Sequence, residues 1–255
     1  MRDKMKGSLV CSFESMFLII VIVAVWYIAA ETGSVSRILL PSPLTIGSTF
    51  MKKFGDGSLL TEIGISVGRV LKGYFFAVAG GICCGVIIGL SESIYRMTKI
   101  LIQILKPIPP IAWIPLVILW MGIGESSKVF LIFLGGFFVV LLNVIDGIRY
   151  IDPKLLEVAD AVETPKVKYI LGLIIPAAMP SIFTGLRVAL GTSWSCVVAA
   201  ELVAASSGIG YMISNARNFG QMDVVIIGMI TIGIVGKVMD EILKLLEKKV
   251  LAWNL

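Results

Sequence analysis

The chain has 255 residues and a formal net charge of +5, with 57% of its residues apolar, only 15% charged and no histidine. A soluble domain usually carries about a quarter charged residues. The composition therefore excludes an ordinary soluble globular protein and indicates one that crosses a membrane several times. The commonest general base and metal ligand is missing, which disfavours an intramembrane enzyme.

The first predicted element is an apolar segment that follows three basic residues, Arg2, Lys4 and Lys6. This arrangement is similar to a secretory signal peptide, but Ile28-Ala29-Ala30 is a poor cleavage site because its first position should be a small residue. We therefore predict an uncleaved membrane span over residues 13–30.

Five further stretches of nearly uncharged residues have the length, about twenty residues, that a hydrocarbon core of roughly 30 Å requires of a helix. They cover about residues 67–90, 100–121, 129–148, 183–205 and 224–245. The prediction is an all-α polytopic membrane protein with six transmembrane helices. It forms a single transmembrane domain over residues 1–255, with its core at about residues 58–246.

The second span contains Gly81, Gly85 and Gly89, three small residues spaced four apart. Small residues on one face of a membrane helix let a neighbouring backbone approach closely. The spacing predicts a tight helix contact, although scattered glycines in a membrane helix are the simpler alternative.

The third span is interrupted by Pro107, Pro109, Pro110 and Pro115. Each proline removes a backbone donor and kinks a helix, and broken backbone at membrane depth is tolerated where protein or a cavity covers it. We predict a kinked helix that lines a cavity, with a merely bent structural helix as the alternative.

Basic residues predict the orientation. With the N-terminus inside, twelve Lys and Arg fall in cytoplasmic segments, and the outside loops hold five: Arg37, Lys52, Lys53, Lys128 and Arg217. This excess satisfies the positive-inside rule and predicts that both termini are cytoplasmic.

The four cysteines lie in or beside apolar stretches and lack the spacing of a metal site; they are Cys11, Cys83, Cys84 and Cys196. We interpret them as packing residues and predict no metal site.

A patterned hydrophilic segment over residues 152–170 separates the fourth and fifth spans. Asp152 is placed to cap a helix that opens with Pro153, and Thr164-Pro165 is expected to end that helix and cap the next. The segment thus predicts two short amphipathic helices at an angle.

The first of these helices has an apolar stripe and an acidic stripe. The apolar residues are Leu155, Val158, Ala159 and Val162, and the acidic ones are Glu157, Asp160 and Glu163. The pattern predicts a partner protein on the cytoplasmic side. A helix lying in the lipid headgroups is the alternative, but it would need Lys and Arg beside its apolar face.

The same segment resembles the EAA loop of ABC importer permeases, through Glu157-Val158-Ala159, Glu163 and the run that ends at Pro176. The likeness covers about residues 40–253. The runs PIPPIAWIPL and AELVAASSGIGY look like the subfamily that imports nitrate, taurine and aliphatic sulfonates. The chain departs from the family pattern at Val158, at Cys83-Cys84, and at Glu163 where glycine is usual, so the turn is expected to rest on Thr164-Pro165.

This resemblance implies a type I ABC importer (MetI-like) permease fold in the bacterial inner membrane. It implies two ABC ATPase subunits that bind ATP and Mg, an extracytoplasmic solute-binding protein and a second permease subunit, expected to form a homodimer. The chain itself would bind membrane lipid, no nucleic acid and no cofactor. The residues that would dock on the ATPase are Glu157, Val158, Ala159, Asp160, Glu163, Thr164 and Pro165.

Polar groups inside spans are candidates for the translocation pathway because lipid solvates them poorly. They are Asn143, Arg187, Ser193, Trp194, Ser195 and Glu201. Arg187 would suit an anionic substrate. The alternatives are that Arg187 reaches the headgroups and Glu201 caps a helix end.

No catalytic residue is predicted, because no protease or hydrolase motif is present and the chain has no GxxxxGKS/T phosphate loop. Energy would have to come from a partner ATPase. A secondary transporter or channel not driven by ATP is the alternative function, and a pyrimidine or vitamin precursor is the alternative to an anionic substrate.

Overall fold

The computed structural model describes residues 17–18, 20–32, 36 and 39–252, and these residues form helices, turns and loops with no strand. The helices are α1 (Ile20–Glu31), α2 (Pro43–Gly55), α3 (Ser58–Leu90), α4 (Glu92–Leu105), α5 (Ile114–Met121), α6 (Glu125–Arg149), α7 (Pro153–Ala161), α8 (Lys166–Ala204), α9 (Ile209–Asn218) and α10 (Met222–Val250). The all-α prediction is confirmed.

Four of the described helices, α3, α6, α8 and α10, are long and apolar enough to cross a membrane. A fifth crossing results if α4 and the following segment Pro110–Met121 count as one broken span. The first predicted span falls partly outside the described residues, and its described part is the shorter apolar helix α1. The count of six therefore stays a prediction.

The broken span bends by 84° between α4 and Pro110–Met121. Pro109 is extended, with φ −60° and ψ 137°, because the ring of Pro110 disfavours helical backbone at the preceding residue. Pro115, in contrast, lies in the first turn of α5, where a missing N–H is harmless. The expectation that each of the four prolines kinks the helix is therefore wrong for Pro115. The broken span also begins earlier in the sequence than predicted.

The chain divides into two compact units. The first comprises the chain up to Thr61 together with Met212–Thr231. Within it, the Thr49 hydroxyl donates to Asp223 over 2.7 Å and ties α2 to the start of α10. Ile213 of α9 packs directly on Gly228 of α10.

The second unit comprises Glu62–Tyr211 and the chain from Ile232 onward. Its core forms where α6 packs along α8, around Val140, Val144, Ala178 and Ile182. All of the candidate residues described below lie in this unit.

Within the second unit, α3 packs on α6 through a ridge of small residues. A Cβ atom on Gly81 would lie 2.7 Å from Val140 Cβ, and one on Gly85 would lie 2.7 Å from Val144 Cβ. Gly89 meets Ile148 and, at the other end, Gly73 meets Ile132 in the same way. Gly73, Gly81 and Gly85 leave no room for a side chain, and a Cβ atom on Gly89 would make a tight contact at 3.0 Å. The sequence motif named three members of a ridge that also includes Gly73.

Candidate functional site

The segment from Asp152 to Lys166 contains α7 and the turn that follows it. The Asp152 carboxylate accepts a 2.9 Å hydrogen bond from the backbone N–H of Lys154, and Pro153 opens the helix. At the other end, the N–H of Thr164 donates to the carbonyl of Ala159 over 3.1 Å. That bond is the signature of a Schellman motif, in which the residue after the C-cap has left-handed backbone.

Glu163 occupies this left-handed position, with φ 50°. A side chain there is strained by roughly 1–2 kcal/mol relative to right-handed backbone, which is why glycine is favoured. Glu163 itself therefore forms the left-handed position of the turn. The expectation that the turn rests on Thr164-Pro165 is wrong. Pro165 precedes α8 with no side-chain cap.

The predicted second short helix is the beginning of α8, which continues to Ala204. A π-helical turn at Ile170–Ile174 lies just before Pro176. Proline cannot donate to a carbonyl one turn earlier, and a π-turn is a common way for a helix to accommodate the lost bond. The segment thus contains one short helix and one long helix, not two short ones.

The apolar stripe of α7 points away from the chain's own core. Leu155, Val158 and Val162 are 47%, 63% and 73% exposed, whereas Leu156 packs on the α6–α8 core. Glu157 is also exposed, Ala159 is half-buried, and Asp160 lies on α7 with its side chain outside the described part of the structure. We call Leu155, Val158 and Val162 the α7 apolar face.

Glu201 lies at the centre of a buried charge cluster. It is 1% exposed, and its carboxylate accepts hydrogen bonds from Arg69 Nη1 at 2.8 Å, from the Ser66 hydroxyl at 2.9 Å and from the backbone N–H of Gly210 at 2.9 Å. Glu201 therefore faces protein groups on α3 and the first turn of α9.

Arg69 uses all five of its N–H donors in this cluster. Nε and Nη2 bond both oxygens of Glu125 at 2.8 and 2.7 Å, Nη1 bonds Glu201 and the Ser207 carbonyl, and Nη2 also bonds the Ser207 hydroxyl at 3.0 Å. Lys128 adds a third bond to Glu125, at 2.9 Å. The Arg69 cluster (Ser66, Arg69, Glu125, Lys128, Glu201 and Ser207) joins α3, α6, α8 and the start of α9.

Arg187 lies between α8 and α10. Its guanidinium is 3.2 Å from Asp240 and 3.4 Å from Glu247, and its side chain is 33% exposed. A cavity of about 360 Å³ adjoins it, with Trp194, Gly236 and Lys237 among its walls. We call this space the α8–α10 cavity.

The remaining pathway candidates separate into packing residues and cavity residues. Ser193 is fully buried and donates to the Ile132 carbonyl of α6, and Asn143 donates to Val139 of its own helix beside Gly185. Trp194 donates to the Ile232 carbonyl at 3.1 Å.

Ser195 lines a second cavity, of about 570 Å³, beside the proline-containing bend at Pro109 and Pro110. We call it the bend cavity. Gly191 lines both cavities, and a Cβ atom added to it would meet no other heavy atom within 4 Å.

Residues 81–252 match the family model described as the binding-protein-dependent transport system inner membrane component. The chain belongs to this family. It is 40% identical over 241 residues to a Bacillus subtilis permease protein named for the transport of aliphatic sulfonates, SsuC, covering 94% of this chain and 87% of that relative. It is 33% identical to the taurine transport system permease protein TauC of Escherichia coli, covering 92% and 87%.

The fold of the permease is also that of a solved importer subunit. The methionine ABC transporter MetNI, in inward-facing conformations, contains a chain that matches with a TM-score of 0.60 at 18% identity, covering 73% of this permease and 94% of that chain. The resemblance drawn from the sequence is confirmed, as are the type I importer fold and the role of the chain as an ABC importer permease subunit.

The sequence did not single out Arg69, although this residue of α3 bonds α6, α8 and the loop before α9. The available signal was an arginine inside the predicted span over residues 67–90, and a charge within a membrane span demands a partner. Its partners Glu125 and Glu201 are 56 and 132 residues away along the chain, so spacing could not identify them.

Proposed function

We propose that this permease imports a small sulfonate-type anion by alternating access, driven by two separate ATPase subunits that dock on α7. A binding protein would deliver the solute from the outer side, and a second copy of the permease would complete the pathway. ATP and Mg would be bound by the ATPase subunits, since this chain has no phosphate loop.

The observation that carries the proposal is the exposed α7 apolar face. Leu155 and Val158 of α7, and Val162 in the turn directly after it, remain uncovered beside the acidic residue Glu157. Exposed apolar patches rimmed by polar residues mark interaction surfaces. The acidic neighbour favours a protein partner over lipid headgroups, which attract basic helices.

The distribution of Lys and Arg supports an orientation with α7 and both termini in the cytoplasm, where ATPase subunits would reach α7. A rigid element anchored to α8 by a short turn is suited to passing a displacement of the ATPases to the membrane helices.

The two curated relatives described above are named for sulfonates and for taurine, which is itself an aminosulfonate. We therefore propose a sulfonate-type solute. Nitrate remains within the same anionic class, and a pyrimidine or vitamin precursor is the alternative.

The experiment is ATP hydrolysis by the permease co-purified with its ATPase and binding protein in nanodiscs, with ethanesulfonate, taurine, nitrate and a neutral pyrimidine as probes. We expect one anion to stimulate hydrolysis in wild type. Glu157→Lys should abolish this stimulation, whereas Lys99→Glu, a charge reversal at an exposed residue of α4, should retain it.

Solute movement by the permease alone, down an ion gradient and without ATP, would overturn the proposal. Full stimulation in Glu157→Lys, with the ATPase still bound, would remove α7 as the docking element.

A further inference from the structure

Two arginines of the long apolar helices, Arg69 and Arg187, differ sharply in how they are held. Arg69 is 4% exposed and all five of its donors are used, at 2.6–3.0 Å. Arg187 reaches its carboxylates only at 3.2–3.5 Å, longer than the 2.7–2.9 Å usual for charge-assisted hydrogen bonds. Arg69 is committed to protein partners, whereas the Arg187 guanidinium has donor capacity to spare.

The Arg187 guanidinium, with its spare donor capacity, lies beside the α8–α10 cavity. A second cation, Lys237, lines the same cavity and is 66% exposed, with its ammonium bonded to Glu241 one turn further along α10. Exposed charges in the middle of membrane helices face water or protein, because lipid solvates them poorly. The cavity, of about 360 Å³, falls within the range of roughly 300–1,000 Å³ typical of ligand sites.

The charged groups around the cavity nearly balance one another. Arg187 faces Asp240 and Glu247, and Lys237 faces Glu241, which also lies 3.7 Å from Lys244. With these carboxylates in place, neither cation is left unpaired when no solute is present. An entering anion would have to replace a carboxylate, so the affinity of the cavity for anions depends on how tightly Asp240 holds Arg187.

We propose that the α8–α10 cavity binds the anionic head group of the transported solute, with Arg187 exchanging Asp240 for a solute oxyanion and Lys237 supplying the second positive charge. This inference rests on the proposed function. A planar guanidinium can donate two parallel N–H bonds to an oxyanion, and two of the three oxygens of a sulfonate or a nitrate can accept them. Trp194, fixed by its bond to Ile232, forms the wall beside the site.

The proposal makes opposite predictions for the two partners of one ion pair. Arg187→Gln removes the positive charge and the planar guanidinium, and should weaken anion binding roughly tenfold or more. Asp240→Asn removes the competing carboxylate and should strengthen binding by about threefold. A purely structural tie between α8 and α10 predicts instead that the two variants are impaired alike.

The experiment first compares ATP-driven uptake of ethanesulfonate, taurine and nitrate by the wild-type complex, and the probe taken up fastest is used throughout. Equilibrium binding of this radiolabelled probe to the permease–ATPase complex in nanodiscs is then measured for Arg187→Gln, Lys237→Gln and Asp240→Asn. Lys248→Gln, an exposed lysine of the same helix outside the cavity, is the matched control and should bind as wild type does.

The proposal is supported if Arg187→Gln and Lys237→Gln weaken binding while Asp240→Asn strengthens it. It is overturned if Arg187→Gln binds as wild type does, or if Asp240→Asn weakens binding as much as Arg187→Gln. Absence of ATP-driven uptake of every probe by wild type would instead contradict the proposed function, so the two failures are distinguishable.

Discussion

Replacing Glu201 by Gln would remove one negative charge from the Arg69 cluster while keeping nearly the same side-chain volume. The Glu201 side chain is 0% exposed and that of Arg69 is 5% exposed, so water cannot replace the lost partner. The amide would also present a donor where the carboxylate now accepts from the N–H of Gly210.

The loss of free energy of unfolding can be bounded from these contacts. Removing one partner of a buried ion pair costs about 3–5 kcal/mol. Arg69 would keep its bidentate bonds to Glu125, so the lower end, about 3 kcal/mol, is expected. Glu125→Gln is the matched variant: its side chain is 62% exposed, and solvent screening reduces its expected cost to about 1 kcal/mol.

Thermal unfolding of the purified permease in detergent, followed by tryptophan fluorescence, tests the difference. At about 2–4 °C per kcal/mol for a chain of this size, Glu201→Gln should lower Tm by roughly 6–12 °C and Glu125→Gln by roughly 2–4 °C. Arg69→Met combined with Glu201→Gln should be less destabilising than the sum of the two single changes, because the double variant leaves no unpaired buried charge at this pair. Equal, small shifts for Glu201→Gln and Glu125→Gln would refute the assignment of Glu201 to a buried cluster.

Three further predictions concern backbone and packing. Glu163→Gly should raise the free energy of unfolding by about 0.5 kcal/mol, since relief of the left-handed strain exceeds the added entropy of the unfolded chain. Glu163→Ala should give no such gain, and equal Tm values for the two variants would contradict the claim that Glu163 is strained. Gly85→Ala should destabilise the permease by about 1–3 kcal/mol in the same assay, because the new Cβ would lie 2.7 Å from Val144. Gly64→Ala, whose Cβ would meet nothing within 4 Å, should not destabilise it. Similar Tm values for the two variants would show that the α3–α6 contact is looser than described. Gly191→Leu should fill space between the two cavities and remove most ATP-driven uptake while leaving Tm near wild type; normal uptake would place the pathway elsewhere.

The elements that the sequence predicted well are those set by local composition. Apolar stretches of bilayer length located α6, α10 and the end of α3 closely, and the spacing of Gly81, Gly85 and Gly89 identified the face of α3 that lies against α6. The start of α8 was missed by 17 residues, because hydropathy marks only the stretch that lipid could cover and a helix can continue beyond it through polar residues.

Partners distant in the sequence were not predictable in the same way. A buried charge such as Glu201 signals that a partner is needed, but only the fold shows that Arg69 supplies it. An amphipathic pattern likewise does not say which surface covers its apolar side. Leu155 and Val158 could have packed on the chain's own core, yet Leu156 does so instead.

The continuity of α8 makes it a lever arm. Its 39 residues span about 58 Å at 1.5 Å per residue, with the left-handed turn at one end, Arg187 near the middle and Glu201 close to the other end. A tilt of about 5° around the Glu201 end would move the end next to α7 by about 5 Å and Arg187 by roughly 2 Å. The buried Arg69 cluster is thus suited to act as the pivot of this movement. Flexing of α8 at the π-helical turn Ile170–Ile174 would reduce the displacement that the helix transmits.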